Sequence, residues 1–263
     1  MGGEVIVTRP GGVPRILSAA LLAVLSFLAA SPAVQAQQDE ISNEYRVTLF
    51  PFHPIRENLT GFGYLGYVKN PDGDFQSYYL GWPGLNYSFR SWLQIWGGLI
   101  GIYTDSESAA NKLELRPFTG VKLFVPNEAK INVYNFTRFE FRDTKDLETH
   151  RWSAVGRARS RFGVEAPLAP RVRGWQPGTW YGLADVEAFY QAGKDAWDPV
   201  RVRFGPAYIV NDRLRIEAIY HVQYTREQPG ASLDHTDNIF RLNVKIGLTH
   251  GIIQSLSNPD ADD

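Results

Sequence analysis

Cysteine is absent from all 263 residues. That excludes a disulfide framework, a thiolate metal site and a cysteine nucleophile. An excess of one charge is missing too, since 27 basic residues face 28 acidic ones, so no global basic field exists to draw nucleic acid. The serine-hydrolase signature GxSxG, the zinc signature HExxH and paired-histidine metal spacing do not occur. No helix of normal length is evident and no internal repeat stands out. Long apolar runs are confined to one place, Ile16 to Ala30, so nothing after residue 36 has the length of a membrane-crossing helix.

That one run has a recognisable setting. Arg9 and Arg15 precede it, Ser31 and Pro32 break it, and the small residues Val34 and Ala36 follow. This order predicts a secretory signal peptide over 1–36, cut after Ala36. Roughly 15 apolar residues fall short of the ~20 that a spanning helix needs. Removal of 1–36 leaves 227 residues, enough for one barrel or sandwich domain, with a formal charge of −2. An exported chain without bridges must draw stability from a core or from lipid. Aromatic residues make up 13% of the sequence, and in a Gram-negative outer membrane aromatics collect at both interfaces.

Extended segments separated by turn residues recur along the chain. They fall at 59–69, 75–90, 92–104, 111–124, 130–142, 149–164, 178–192, 199–210, 213–226 and 237–249, about ten, with eight to twelve within the expectation. The predicted fold is all-β, an antiparallel up-and-down membrane β-barrel over 59–249. An irregular segment is expected at 37–58, where Pro51 and Pro54 limit any strand, and an acidic tail at 250–263. Segments of about 10 to 16 residues exceed the ~5–6 typical of globular strands and suit tilted membrane strands. Asn211-Asp212 predicts a tight two-residue hairpin.

Five segments alternate apolar and charged residues: RARSR at 157–161, ADVEA at 184–188, VRVRF at 200–204, RLRIE at 213–217 and FRLNVK at 240–245. A period of two gives each strand one greasy and one ionic face. The ionic face, taken from Lys112 to Lys245, holds fourteen basic and five acidic residues, an excess of nine, which leaves −11 for the rest of the exported chain. Strand length, aromatics near strand ends (Trp92, Trp152, Trp180, Tyr220, Tyr224) and the signal sequence favour lipid against the greasy face. The ions then line a lumen. The network expected there is Arg138, Glu140, Arg157, Arg159, Arg161, Asp185, Glu187, Arg201, Arg203, Arg215, Glu217 and Arg241.

The stretches WPGLNYSFRSWLQIWGGLIGIY (82–103), LELRPFTGVKLF (113–124), NFTRFEFRDT (135–144) and RWSAVGRARSRFGVE (151–165) resemble a bacterial family catalogued as a domain of unknown function. DVEAFY (185–190), VRFGPAY (202–208) and RLRIEAIYHVQYT (213–225) extend the resemblance, which covers about 75–249. It implies an outer-membrane-type barrel and no established reaction. The chain departs from many such barrels in lacking a terminal aromatic, since HGIIQSLSNPDADD follows the last strand.

Catalytic groups are harder to assemble. The histidines are His53, His150, His221, His235 and His250. His221 shares a face with Glu217, but four strand residues span ~13 Å. His150 and Ser153 point to opposite faces. Asp185 and Glu187 lie ~7 Å apart on one face, a spacing that suits paired-carboxylate chemistry but fits better an ion-pair ladder with Arg201 and Arg203. No catalytic residue, metal site or cofactor is expected, and not an enzyme. Expected partners are outer-membrane lipid, the barrel-assembly machinery and small anionic solutes, with no nucleic acid. Three functions stay open: a narrow anion-favouring pore or binding site, a closed structural or envelope-assembly barrel, and an outer-membrane lipid hydrolase or acyltransferase.

Overall fold

The computed structural model describes residues 41–72, 74–126, 131–168, 175–192, 197–225 and 234–249. The expected signal sequence 1–36, the tail 250–263 and His250 lie outside the described residues. Eleven strands follow one another: β1 (Ser42–Arg56), β2 (Leu59–Asn70), β3 (Phe75–Arg90), β4 (Leu93–Ser106), β5 (Lys112–Val125), β6 (Asn132–Asp146), β7 (Trp152–Pro167), β8 (Trp180–Gln191), β9 (Trp197–Asn211), β10 (Leu214–Thr225) and β11 (Asp234–Gly247). Each pairs antiparallel with its sequence neighbours, and β1 closes on β11 to complete a barrel. The all-β barrel expected from the sequence is therefore present.

Eleven strands fall within the expected eight to twelve; the strand beyond the ten expected segments is β1, which occupies most of the segment expected to be irregular. With an odd number of strands, first and last run in the same direction, so the closing seam is parallel, from Ser42↔Asp237 to Phe52↔Gly247. The prolines do not prevent this. Pro51 sits in register with Ile246 and removes a single N–H, while Pro54 lies where the pairing with β2 shifts register before Arg56. Closure leaves no edge strand for a proline to mark.

Alternation sorts the side chains by face. Glu114, Glu140, Asp185, Glu187, Arg203, Arg215 and Glu217 are buried, while Leu115, Val121, Phe139, Phe141, Phe162, Val186, Val202 and Phe204 stand exposed on the opposite face. Near the β1–β11 seam, Val47, Leu242 and Val244 are buried instead. In β3 the parity slips in mid-strand. The register shifts between Gly81 and Gly84, so Trp82 and Pro83 both face outward and Gly84 returns inward. A Cβ at Gly84 would lie 2.4 Å from the Phe62 ring, so the missing side chain makes room for that ring. At Gly205 a Cβ would meet the Ala218 carbonyl oxygen at 1.9 Å, and β9 and β10 approach closely there.

Strand direction divides the connections between two ends. One end holds the last residues of β1, β3, β5, β7 and β9; the other holds the last residues of β2, β4, β6, β8 and β10. A tight two-residue hairpin joins β9 to β10 as expected, but its loop is Asp212-Arg213, one residue beyond Asn211-Asp212: Asn211 is the last strand residue, pairs with Leu214 and accepts the Arg213 N–H on Oδ1 at 2.9 Å. Within 168–179, Trp175 is buried and meets Tyr181 edge-on at 4.8 Å between ring centres. It joins Leu183, Ala207, Ile209 and Ile219 in an apolar cluster, so this connection turns a large side chain into the barrel mouth.

Candidate functional site: the charged barrel interior

Inward-facing side chains of all eleven strands surround a cavity of about 500 Å³. Arg46, Arg116, Arg138, Arg142, Arg157, Arg159, Arg161, Arg201, Arg203, Arg241, Lys122 and Lys245 line it together with Glu165, Asp185, Glu187 and Glu217. Arg215, Glu44, Glu114 and Glu140 complete the buried network around it.

Carboxylates act as hubs. Glu140, on β6 and fully shielded by its neighbours, binds Arg157 at 2.5 Å and Arg159 at 3.0 Å from adjacent β7, pairs with Arg138 two residues away, and has Arg116 of β5 at 3.9 Å. Glu114 accepts a two-pronged contact from Arg142 at 2.9 and 2.7 Å and another from Arg116 at 2.6 Å. Across β8 and β9, Arg203 donates to both oxygens of Asp185 at 2.6 Å, as their register predicts. Glu187 takes Arg161 at 2.8 Å and Arg159 at 3.4 Å. Nearer the Trp175 end, Glu217 receives Lys245 at 2.6 Å, Arg215 at 2.7 Å, Asn243 at 2.8 Å and the Tyr181 hydroxyl at 3.2 Å. Arg215 also reaches Glu165 at 3.1 Å. Arginine suits such hubs because its planar fork serves two acceptors at once and it keeps its proton.

The ladder expected for Asp185 and Glu187 forms in one half only. Asp185 takes Arg203, but Arg201, in register with Glu187, donates instead to Gln223 Oε1 at 2.5 Å and lies 4.7 Å from the Phe189 ring centre. Arg241 donates to Asn243 Oδ1 at 2.7 Å and to Thr48 Oγ1 at 3.3 Å. Lys122 sits over the rings of Tyr134 and Phe124, at 4.4 and 4.5 Å. Among the described residues, no carboxylate comes within ion-pair distance of these three cations.

All twelve residues of the expected network thus lie within one interior. Arg46 and Glu44 of β1 join them, and so does Glu165. Their signal was present: EYRVTLFPF at 44–52 alternates, and Glu165 keeps the parity of Arg157, Arg159 and Arg161. Two residues counted with the ionic face sit apart from it, Lys112 exposed at the start of β5 and Arg213 in the β9–β10 turn.

His221 is buried, and neither ring nitrogen has a hydrogen-bond partner among the described residues. His150 is exposed in a connection with φ of 57°, and His235 meets Asn238 Oδ1 at 3.1 Å. Among the described residues no cluster of three or more histidine, aspartate or glutamate side chains could hold a metal.

The sector the sequence left blank is aromatic. Phe50, Phe52, Phe62, Trp96, Phe118 and Phe136 face the same cavity. The inward rows of β2 to β4 carry no charged side chain; Ser77 meets Thr104 at 2.8 Å, and Gln94 accepts from Asn86 at 3.3 Å and from Trp96 at 3.2 Å.

Fold and site together define a closed β-barrel with an ion-paired, partly aromatic interior. The chain belongs to the family described as Protein of unknown function (DUF2490), which matches residues 56–234. No curated protein matches it.

Proposed function

We propose that this chain is an outer-membrane β-barrel whose cation-rich lumen binds small anions. The observation that carries the reading is the inversion of faces: apolar rows outside, ion pairs within. A soluble barrel in water would pack its greasy face inward. Strands of 12 to 16 residues exceed the ~9–11 that a tilted strand needs to cross a bilayer. Exposed aromatics stand toward both ends of the wall, Trp92 and Trp180 on one side and Tyr78, Tyr103 and Trp152 on the other, as membrane interfaces favour.

The lumen supplies the binding chemistry. Among the described residues thirteen cations share seven carboxylates, and Lys122, Arg201 and Arg241 make their direct contacts with neutral acceptors or aromatic rings, no carboxylate lying within ion-pair distance. Surplus fixed positive charge in a narrow passage attracts anions, the logic of charged-ring selectivity. Trp175 and its apolar cluster occupy one mouth, which favours holding an anion over rapid passage.

The test is a calorimetric titration of inorganic phosphate into the full chain, purified from a Gram-negative outer-membrane fraction in micelles. The expected result is saturable binding, weakened about tenfold or more in the triple variant K122Q/R201Q/R241Q. Equal binding by the triple variant would overturn the lumenal site. Absence of binding, together with no anion-selective current in planar bilayers, would leave the closed structural barrel, which the dense ion-pair lattice also fits.

A further inference from the structure

Two chemistries face one continuous cavity. Aromatic rings form a run along its wall: Phe50 stacks on Phe52 at 6.4 Å, Phe52 lies 6.3 Å from Phe62, Phe62 5.0 Å from Trp96, and Trp96 5.9 Å from Phe136. A cation stands at the start of this run, with the Arg241 guanidinium 6.0 Å from the Phe50 ring centre. Among the described residues Arg241 donates to two neutral acceptors, Asn243 and Thr48. A guanidinium has five N–H donors, so donors remain for a ligand.

A passage built for inorganic ions and water gains nothing from such a wall. Phe52 and Phe62 are buried within the run, with Phe50, Trp96 and Phe118 packed against them, while Phe50, Trp96, Phe118 and Phe136 stay half-buried beside the cavity. Keeping that remaining apolar area wet forgoes roughly 25 cal/mol per Å², and it becomes favourable when an apolar group covers it. The cavity, about 500 Å³, falls within the ~300–1,000 Å³ of small-molecule sites, which combine apolar walls with a few polar anchors.

We propose that the cavity takes an amphiphilic organic anion, with a carboxylate or similar oxyanion head on Arg241 and an aryl or alkyl body along the half-buried Phe50, Trp96 and Phe136 rings. This rests on the anion-binding reading and adds the body of the ligand to it.

The test compares 4-phenylbutyrate, butyrate and 4-phenylbutanol by calorimetry on the full chain in micelles, each corrected for partition into protein-free micelles. Burial of one phenyl group contributes about 1.5–3 kcal/mol, so phenylbutyrate is expected to bind about tenfold or more tightly than butyrate. It should exceed phenylbutanol by a similar factor. R241Q should remove the advantage over phenylbutanol, and W96L the advantage over butyrate. Should W96L fail to fold, F136L provides a second reading of the wall. Equal affinities for butyrate and phenylbutyrate would overturn the amphiphile while leaving the anion site intact. Equal affinities for phenylbutyrate and phenylbutanol would sink both. Loss of binding in K122Q but not R241Q would overturn the assignment of the head group.

Discussion

The interior of β2 to β4 and the interior of β6 to β10 are built on the same alternation yet filled in opposite ways. In the first sector the inward residues are neutral: Phe62, Tyr64, Ser77, Tyr79, Asn86, Gln94 and Trp96. In the second they are Arg138, Glu140, Arg157, Arg159, Arg161, Asp185, Glu187, Arg203 and Glu217, tied into hubs. Packing of rings is tolerant, because each contact is small and non-directional. An ionic hub is all-or-none, since removing one partner leaves the others buried without compensation.

That difference sets the largest expected effect. Glu140→Gln keeps the shape and removes the charge that Arg138, Arg157 and Arg159 share. Breaking a buried pair from one side costs about 3–5 kcal/mol. In the neutral sector, Gln94→Leu deprives Asn86 and Trp96 of an acceptor, at about 1–3 kcal/mol. Urea-unfolding midpoints in micelles would rank the two. An equal or reversed ranking would break the contrast between sectors.

The outer surface should not register what lies behind it. Val202 covers the charged sector and Leu80 the neutral one, and both are exposed. Arginine at either site is expected to destabilise by about 2–4 kcal/mol if lipid faces it at mid-depth. Heat-modifiable gel mobility after refolding into bilayers measures this. Cysteines at Val202 and Arg203 sharpen it, with a lipid-phase reagent expected to reach the first and a water-phase reagent the second. Val202→Arg at no cost, or water-phase labelling of Val202 alone, would reverse the assignment of faces.

A smaller effect probes the ring-packed sector alone. Gly84→Ala places a methyl group 2.4 Å from the Phe62 ring, and overpacking of this kind costs about 1–3 kcal/mol. Phe62→Leu in the same chain should recover part of the loss, because the ring is what the methyl meets. A double-mutant cycle on the urea midpoints reads the coupling, and strict additivity would mean that the two residues do not share the space.

The same contrast explains what the sequence reveals. Strict apolar–charged alternation in VRVRF or RLRIE can be satisfied in only one way, so those strands and their twelve network residues are legible. Tyrosine and glycine give no such signal, because tyrosine stands on both faces, inward at Tyr64 and Tyr79 and outward at Tyr78 and Tyr87. The bulge at Trp82-Pro83 further inverts parity within one strand. β1 was obscured by Pro51 and Pro54, although Glu44, Arg46 and Thr48 keep the period. Register alone also cannot assign partners. Arg201 stands opposite both Glu187 and Gln223 and bonds the amide, while Arg161 and Arg159 take Glu187.

Arg201 therefore carries the smallest expected effect on stability and the most pointed one on function. Every other arginine of the predicted network except Arg241 has a carboxylate partner, so its loss would unbalance a hub. Arg201 has an amide and the Phe189 ring. Replacing a buried cation that no carboxylate contacts directly by an apolar side chain of similar length relieves desolvation at least as much as it forfeits contacts. Arg201→Met is expected to shift unfolding by no more than about 1 kcal/mol, or to stabilise, while weakening phosphate binding severalfold. Arg203→Met, which strips Asp185 of its two-pronged partner, should instead cost about 3–5 kcal/mol. If both substitutions destabilise equally, Arg201 belongs to the structural lattice, and surplus charge in this lumen is not free to meet a ligand.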